Sequence, residues 1–198
     1  MAQKKSARST LENAEEIALL ASPTRIDLID TLEALGGEAS VAELAAQLGR
    51  PADGLYYHLR QLAAGGLIVE EDGPQGRRYR ARVHGERLRL RYRPGATANA
   101  KAVERVAASV LRIAGRDFAH ALSDPDAVVE GELRELWASR SKGWVGRAEL
   151  AEINRLLLRL MKLLHRPRAA NRDRLLALSW IVAPLDAKPA RRTAREAE

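Results

Sequence analysis

The sequence predicts a mainly helical α+β fold with an N-terminal unit and a small C-terminal α+β unit that contains one long helix. Three observations lead to this prediction. Apolar residues recur at helical spacing along much of the chain, two short helices joined by a tight turn occupy residues 40–67, and arginines alternate with strand-forming residues directly afterwards. The alternation indicates a β-hairpin, so the N-terminal unit combines helices with a small sheet.

Two helices are expected before the tight turn. Ser9 and Glu12 have the spacing of a capping box, which predicts a first helix that ends near Leu20. Ser22 followed by a proline predicts the start of a second helix, which two glycines end after Leu35. Both helices would support the short pair that follows.

A second capping box begins the short pair, because Ser40 is followed three residues later by Glu43. The first helix ends at Gly49, which can adopt the positive φ of a sharp turn. Pro51 suits the first position of the next helix. That helix is expected to bury Leu55, Leu59 and Leu62 and to point outward Ala52, Asp53, Tyr56, Tyr57 and Arg60. This is helix-turn-helix spacing, in which the outward face can enter a major groove of DNA.

A β-hairpin is predicted next. Residues 67–69 form an apolar strand, residues 73–76 a turn, and residues 77–83 a strand in which Tyr79 and Ala81 alternate with arginines. Residues 73–93 contain eight arginines and one acidic residue, Glu86. We therefore expect a row of guanidinium groups on the solvent face. The arginines expected to contact phosphate are Arg77, Arg78 and Arg80.

The chain from residue 21 to residue 82 resembles the winged helix-turn-helix of ArsR-type bacterial transcriptional regulators. The resemblance lies in ASPTRIDLIDTL (21–32), LAAQLG (44–49), LYYHLRQL (55–62) and GLIVEE (66–71). It implies a homodimer whose two recognition helices bind a palindromic operator in double-stranded DNA, usually to repress. Arg50 departs from the family pattern, because Ser or Thr is usual at this cap position. Contact with phosphate is one role that would explain it.

Residues 9–85 are assigned to this DNA-binding domain, residues 86–187 to a C-terminal α+β domain for dimerisation and effector sensing, and residues 188–198 to a charged tail. In the second domain, strands are predicted at 86–93, 131–140 and 175–185, and helices at 98–122 and 149–164. A helix at 131–140 is the alternative. The longer helix carries an apolar stripe that the winged domain does not need and that is expected to form the dimer interface: Val103, Val106, Val110 and Ile113.

Aromatic residues of the second half are candidates to line a pocket for a small organic effector, although core packing is the more common role. They are Tyr92, Phe118, Trp137, Trp144 and Trp180. The chain has no Cys, and its four histidines lack ligand spacing, so neither a metal nor another cofactor is expected. No nucleophile with a base, acid–base pair or phosphate-binding loop is recognisable, so an enzyme is not expected.

The overall charge agrees with a polyanionic partner. The chain has 33 Lys and Arg against 26 Asp and Glu, which gives a net charge of +7 and a pI near 10.1. No apolar run approaches the roughly 18 residues of a membrane span, and no signal peptide is recognisable, so a cytoplasmic protein without membrane contact is expected. A DNA-binding transcriptional regulator follows as the main hypothesis. The alternative is a winged-helix adaptor that binds RNA or protein.

Overall fold

The structure, a computed structural model, describes residues 10–74, 76–82, 88–166 and 169–186. Its fold is mixed α+β, with six helices and two small sheets in these ranges. The elements are β1 (Thr10–Leu11), α1 (Ala14–Leu19), α2 (Pro23–Ala34), β2 (Glu38–Ser40), α3 (Val41–Leu48), α4 (Asp53–Ala64), β3 (Ile68–Gly73), β4 (Gly76–Ala81), β5 (Arg89–Leu90), α5 (Thr97–Leu122) and α6 (Arg147–Leu164). The predicted fold class is confirmed.

The predicted hairpin is part of a three-stranded antiparallel sheet with the order β2-β4-β3. Gly73 lies opposite Gly76 where the hairpin turns, and Ala39 of β2 lies opposite Tyr79 of β4. The sequence pattern did not reveal β2, because three residues are too few to show an alternation. A second sheet pairs β1 with β5 in parallel.

The core lies between α1–α5 and the three-stranded sheet. The three leucines predicted to face inward from α4 are all buried, which confirms the phase of that helix: Leu55, Leu59 and Leu62. On β4, Tyr79 and Ala81 are buried whereas Arg80 is exposed, as the alternation predicted. The spacing of apolar residues therefore correctly predicted which side chains of α4 and β4 are buried.

Helix starts were predicted less accurately than helix faces. α1 begins at Ala14, because Asn13 caps it by accepting a hydrogen bond from the Glu15 backbone N–H at 3.0 Å. The predicted start directly after Ser9 is wrong, because Thr10 and Leu11 pair with β5 instead. Ser9 lies outside the described residues. α2 spans the predicted residues, whereas α4 begins two residues after Pro51.

The long helix α5 is confirmed, but its apolar stripe packs inside the chain, against α1 and α2. Val106 belongs to the core, Val103 and Val110 pack against it, and Ile113 is only 9% exposed. The Ser109 hydroxyl also donates to the Ala21 carbonyl at 2.7 Å. The premise that the winged domain does not need this stripe is therefore wrong, since the stripe completes that domain's core.

The C-terminal region differs more from prediction. Residues 131–140 and 175–185 form no strand, and of the strand predicted at 86–93 only β5 is seen, with residues 83–87 outside the described ranges. A strand needs a neighbour to satisfy its backbone groups, and neither segment pairs with a strand of the two described sheets. α6 forms as predicted. The predicted tail at 188–198 also lies outside the described ranges.

Candidate nucleic-acid interface

A tight turn between α3 and α4 sets the direction in which α4 leaves the core. The Ser40 hydroxyl accepts from the Glu43 backbone N–H at 3.2 Å, and the Glu43 carboxylate accepts from the Ser40 backbone N–H at 2.7 Å, so the predicted capping box is confirmed. The Ser40 hydroxyl also donates to the Glu43 carboxylate at 2.8 Å, and the two hydrogen bonds that this carboxylate accepts from Ser40, the backbone one foremost, lower the pKa of Glu43. Gly49 ends α3 with φ +61°, the left-handed conformation that the turn requires.

Arg50, which precedes Pro51 in the turn, is bound within its own chain. Its guanidinium lies 3.3 Å from the Asp27 carboxylate and donates to the Thr24 hydroxyl at 2.9 Å. Arg116 of α5 reaches the same carboxylate at 2.9 Å. Asp27 is nearly buried, with 8% of its side chain exposed. The Asp27 network, defined here as Asp27, Arg50 and Arg116, joins the turn, α2 and α5. Asp27 was not predicted as a functional residue, because the two arginines that bind it are distant in the chain and the sequence of α2 does not reveal them.

The outward face of α4 presents polar and aromatic side chains. Asp53 and Arg60 are exposed, as are Tyr56 and Tyr57, at 42% and 57%. Ala52 is different: it precedes α4, is partly buried and packs against the core, so the prediction that it points outward is wrong. The four exposed side chains leave one face of α4 open to a partner.

His58 lies at the margin of this face. Its ring meets the Tyr57 ring edge-on, with 5.3 Å between centroids. Its Nδ1 atom is buried and has no hydrogen-bond partner among the described residues. Burial lowers the pKa of His58, and the positive charges of Arg25 and Arg50 lower it further. The imidazole is therefore held in its neutral form.

The hairpin of β3 and β4, called here the wing, has two chemically distinct faces. Arg77 lies on the same face as the buried Tyr79, since side chains two residues apart share a face. Its guanidinium is 2.7 Å from the Glu70 carboxylate and 3.5 Å from that of Asp72. With Tyr56, Arg77 and Asp72 line a shallow groove that also contacts the start of α3. This face of the wing therefore adjoins the outward face of α4.

The opposite face of the wing carries Arg78 and Arg80. Arg78 pairs with Glu38 and lies 3.3 Å from the Glu43 carboxylate, and Arg80 pairs with Glu71. The sequence predicted a row of guanidiniums on the solvent face but did not reveal these acidic partners. The charges were counted only from residue 73 onward, whereas antiparallel pairing places the acidic residues of β3 beside the arginines.

The five aromatic residues predicted to line an effector pocket are open to solvent or only partly buried. Tyr92, Trp137 and Trp144 are 67%, 68% and 71% exposed. Trp180 is 39% exposed, and Phe118 is partly buried. None of the five lines the groove beside the wing. Within the described ranges, no three His, Asp or Glu residues are grouped so that they could hold a metal ion.

Comparison with known proteins gives one match. Residues 20–71, which run from the end of α1 into β3, match the family described as Helix-turn-helix domain. No curated protein matches the chain. A helix-turn-helix domain indicates a DNA-binding regulator, in agreement with the exposed face of α4. Among the described helices, none is both long and apolar enough to cross a membrane.

Proposed function

We propose that this chain is a transcriptional regulator of ArsR type that binds a palindromic operator in double-stranded DNA as a homodimer and represses transcription. The observation that carries the proposal is the open face of α4, directed away from the core by the turn at Gly49 and flanked by the wing. An α-helix so presented fits the width of a major groove. The proposal assigns no catalytic activity to the chain.

In this proposal, α4 contacts base edges. Arg60 can donate two hydrogen bonds to a guanine, and Asp53 can accept from a cytosine amino group. Tyr56 and Tyr57 add apolar contact and one hydroxyl each. Each good base contact contributes about 1–3 kcal/mol of discrimination against the wrong base. The face therefore offers both specificity and contact area.

The geometry of the wing favours Arg77 over its neighbours as a phosphate ligand. Arg77 shares the groove with Tyr56 of α4, and its side chain is 57% exposed. Arg78 and Arg80 point from the opposite face and are bound by carboxylates there. A phosphate would replace Glu70 as the partner of Arg77. We therefore expect the DNA backbone to lie along the Arg77 side of the wing.

Comparing two arginine variants tests this arrangement. Duplexes selected from a random library are titrated at several salt concentrations by fluorescence anisotropy. Arg77→Ala should weaken binding to all sequences by about 5–10-fold and make the salt slope shallower by about one. The control Arg80→Ala should change affinity less than about twofold. Equal losses in both variants would contradict the assignment of faces.

The same titration tests the function itself. The preferred duplex is selected and then competed against unrelated duplex DNA and against RNA of the same sequence. The protein should bind the selected duplex at least about 1,000-fold more tightly than unrelated DNA, and should prefer it to the RNA. Binding to RNA in preference to every duplex would instead favour the adaptor hypothesis, in which the exposed tyrosines stack on unpaired bases. A small organic effector is an additional hypothesis. Because Trp137 and Trp144 are exposed, we expect a second copy to supply the remaining walls of any pocket that contains them.

A further inference from the structure

Residues 128–186, called here the C-terminal arm, carry most of the exposed large apolar side chains of the molecule. α6 contains no buried residue, although nine of its positions are Leu, Ile or Met. Leu133, Leu175 and Trp144 are each more than two-thirds exposed. Exposed apolar side chains in this number, several of them neighbours on α6, are uncommon on a monomer and mark a contact with another molecule.

The accessible surface of the chain is larger than a compact monomer needs. It amounts to 15735 Å². Even after about 160 Å², the full area of an unfolded residue, is subtracted for every residue outside the described ranges, about 11,000 Å² remains, against about 8,000 Å² for a compact monomer of the remaining size. The difference of roughly 3,000 Å² exceeds the about 800 Å² that each partner buries in a standard interface. The arm therefore exposes enough area for a stable dimer.

One side of α6 faces its own chain and another is open. Ile153, Leu157 and Met161 are partly buried, and the imidazole of His165 lies 3.3 Å from the Glu33 carboxylate of α2. The open side carries Leu156, Leu160 and Leu163, which are 50%, 44% and 39% exposed. Their spacing places them one above another along the helix. This open stripe is long enough to meet a second helix.

The charges of α6 are arranged so that the helix complements a second copy of itself. Both acidic residues of α6, Glu149 and Glu152, lie in its first half, where Arg155 pairs with Glu152 and Arg147 begins the helix, whereas its last turns carry only basic charged residues, Arg159 and Lys162. Glu152 and Arg159 are about 10 Å apart along their own helix axis, so they do not pair within one chain. In an antiparallel pair of helices related by a two-fold axis, each acidic end meets the basic end of the other copy.

We propose that a second copy of this chain covers the C-terminal arm, with two α6 helices packed antiparallel across a two-fold axis near Leu156. The open stripes of the two copies then face one another, and Glu152 of each copy lies near Arg159 of the other. The inference rests on the proposed homodimer and places its interface on α6, because the stripe of α5 is already buried in its own chain.

A double substitution on α6 and a single substitution on α5 are compared by sedimentation velocity between about 1 and 50 µM. Leu156→Glu with Leu160→Glu should raise the dimer dissociation constant at least about 100-fold, because charges would enter the seam. The control Leu111→Glu changes a leucine that is 58% exposed on α5 and should leave the dimer intact. A dimer that survives the α6 substitutions, or a wild-type monomer at 50 µM, would overturn the proposal. Circular dichroism shows whether each variant keeps its helices.

A charge reversal tests the two-fold arrangement without adding charge to the apolar stripe. Arg159→Glu alone places two carboxylates together at each end of the seam and should weaken the dimer about tenfold. Adding Glu152→Arg to the same chain should restore the dissociation constant to within about threefold of the wild type. Failure of the second substitution to rescue would overturn the antiparallel pairing.

The two proposals fail in different ways. A wild-type dimer that shows no preference for any duplex would contradict the proposed function and leave the dimer interface as measured. A sequence-specific protein whose dimer is insensitive to the α6 variants would retain the function and overturn the interface. Dissociation caused by Leu111→Glu, with no effect of the α6 substitutions, would place the contact on the outer face of α5 instead.

Discussion

His58 lies on α4 between the exposed Tyr57 and the buried Leu59, and its neighbours decide its chemistry. The positive charges of Arg25 from α2 and Arg50 from the turn help to lower the pKa of the ring. The Nδ1 atom of the ring is buried and has no hydrogen-bond partner in the described part of the chain. Both burial and positive charge disfavour the imidazolium. Protonation of His58 would therefore weaken the packing of α4 against the core.

We expect this histidine to make the folded state less stable in mild acid. The folded-state pKa lies below the unfolded value of about 6.5, so the unfolded chain takes up the proton first as the pH falls. The free energy of unfolding should therefore be level above about pH 7 and decrease below it, towards the lowered pKa. Urea unfolding between pH 5 and pH 8 should show this slope in the wild type and a smaller one in His58→Phe. Identical slopes in the two proteins would contradict the assignment.

At the scale of secondary-structure elements, the orientation of α4 depends on how α3 ends. The capping box at Ser40 fixes the start of α3, and the left-handed Gly49 fixes its end. The Cβ of a substituted residue at Gly49 would meet nothing within 4 Å. The cost of replacing this glycine is therefore backbone strain and not a steric clash.

Two glycines with equally open surroundings should respond in opposite directions to alanine. Gly49→Ala should lower the free energy of unfolding by about 1 kcal/mol, because alanine disfavours φ +61°. Gly54→Ala, inside α4, should raise it by up to about 1 kcal/mol, because alanine is the better helix former. Thermal and urea unfolding of both variants measure the difference. Stabilisation by Gly49→Ala would show that the turn does not impose this φ.

At the scale of the whole molecule, the Asp27 network connects the helix-turn-helix to the long helix. Asp27 is buried on α2, Arg50 precedes α4, and Arg116 extends from α5. The hydrogen bond to Asp27, together with that to Asp117, raises the pKa of Arg116, so its positive charge is secured. The turn before α4 is therefore held at a set distance from α5.

The Asp27 carboxylate is shared by Arg50 and Arg116, so its removal should abolish the coupling between the effects of these two arginines on the free energy of unfolding. We expect Asp27→Asn to cost about 1–2 kcal/mol of unfolding free energy, a modest value because both guanidiniums can regain water. Arg50→Ala and Arg116→Ala should each destabilise the wild type but have little effect in Asp27→Asn. A double-mutant cycle measured by urea unfolding checks this. Full additivity of all three substitutions would show that the network does not act as a unit.

Local signals in the sequence determined much of the N-terminal half. The capping box at Ser40, the glycine at 49 and the spacing of the α4 leucines act over a few residues, so their physics is visible in the sequence itself. The same holds for the exposed face of α4 and for the alternation in β4. The starts of α1 and α4 were placed less well, because competing pairings and turns decide them.

Tertiary structure alone decided which charges and apolar faces are satisfied. The pairing of Arg80 with Glu71 depends on the register of β3 against β4, and the burial of Val106 depends on where α5 meets α1. The segments predicted as strands at 131–140 and 175–185 lacked neighbouring strands to bind. Periodicity shows that a face of a helix or strand is apolar. The surface that covers this face belongs to a distant part of the chain or to another molecule, and only long-range packing determines which surface it is.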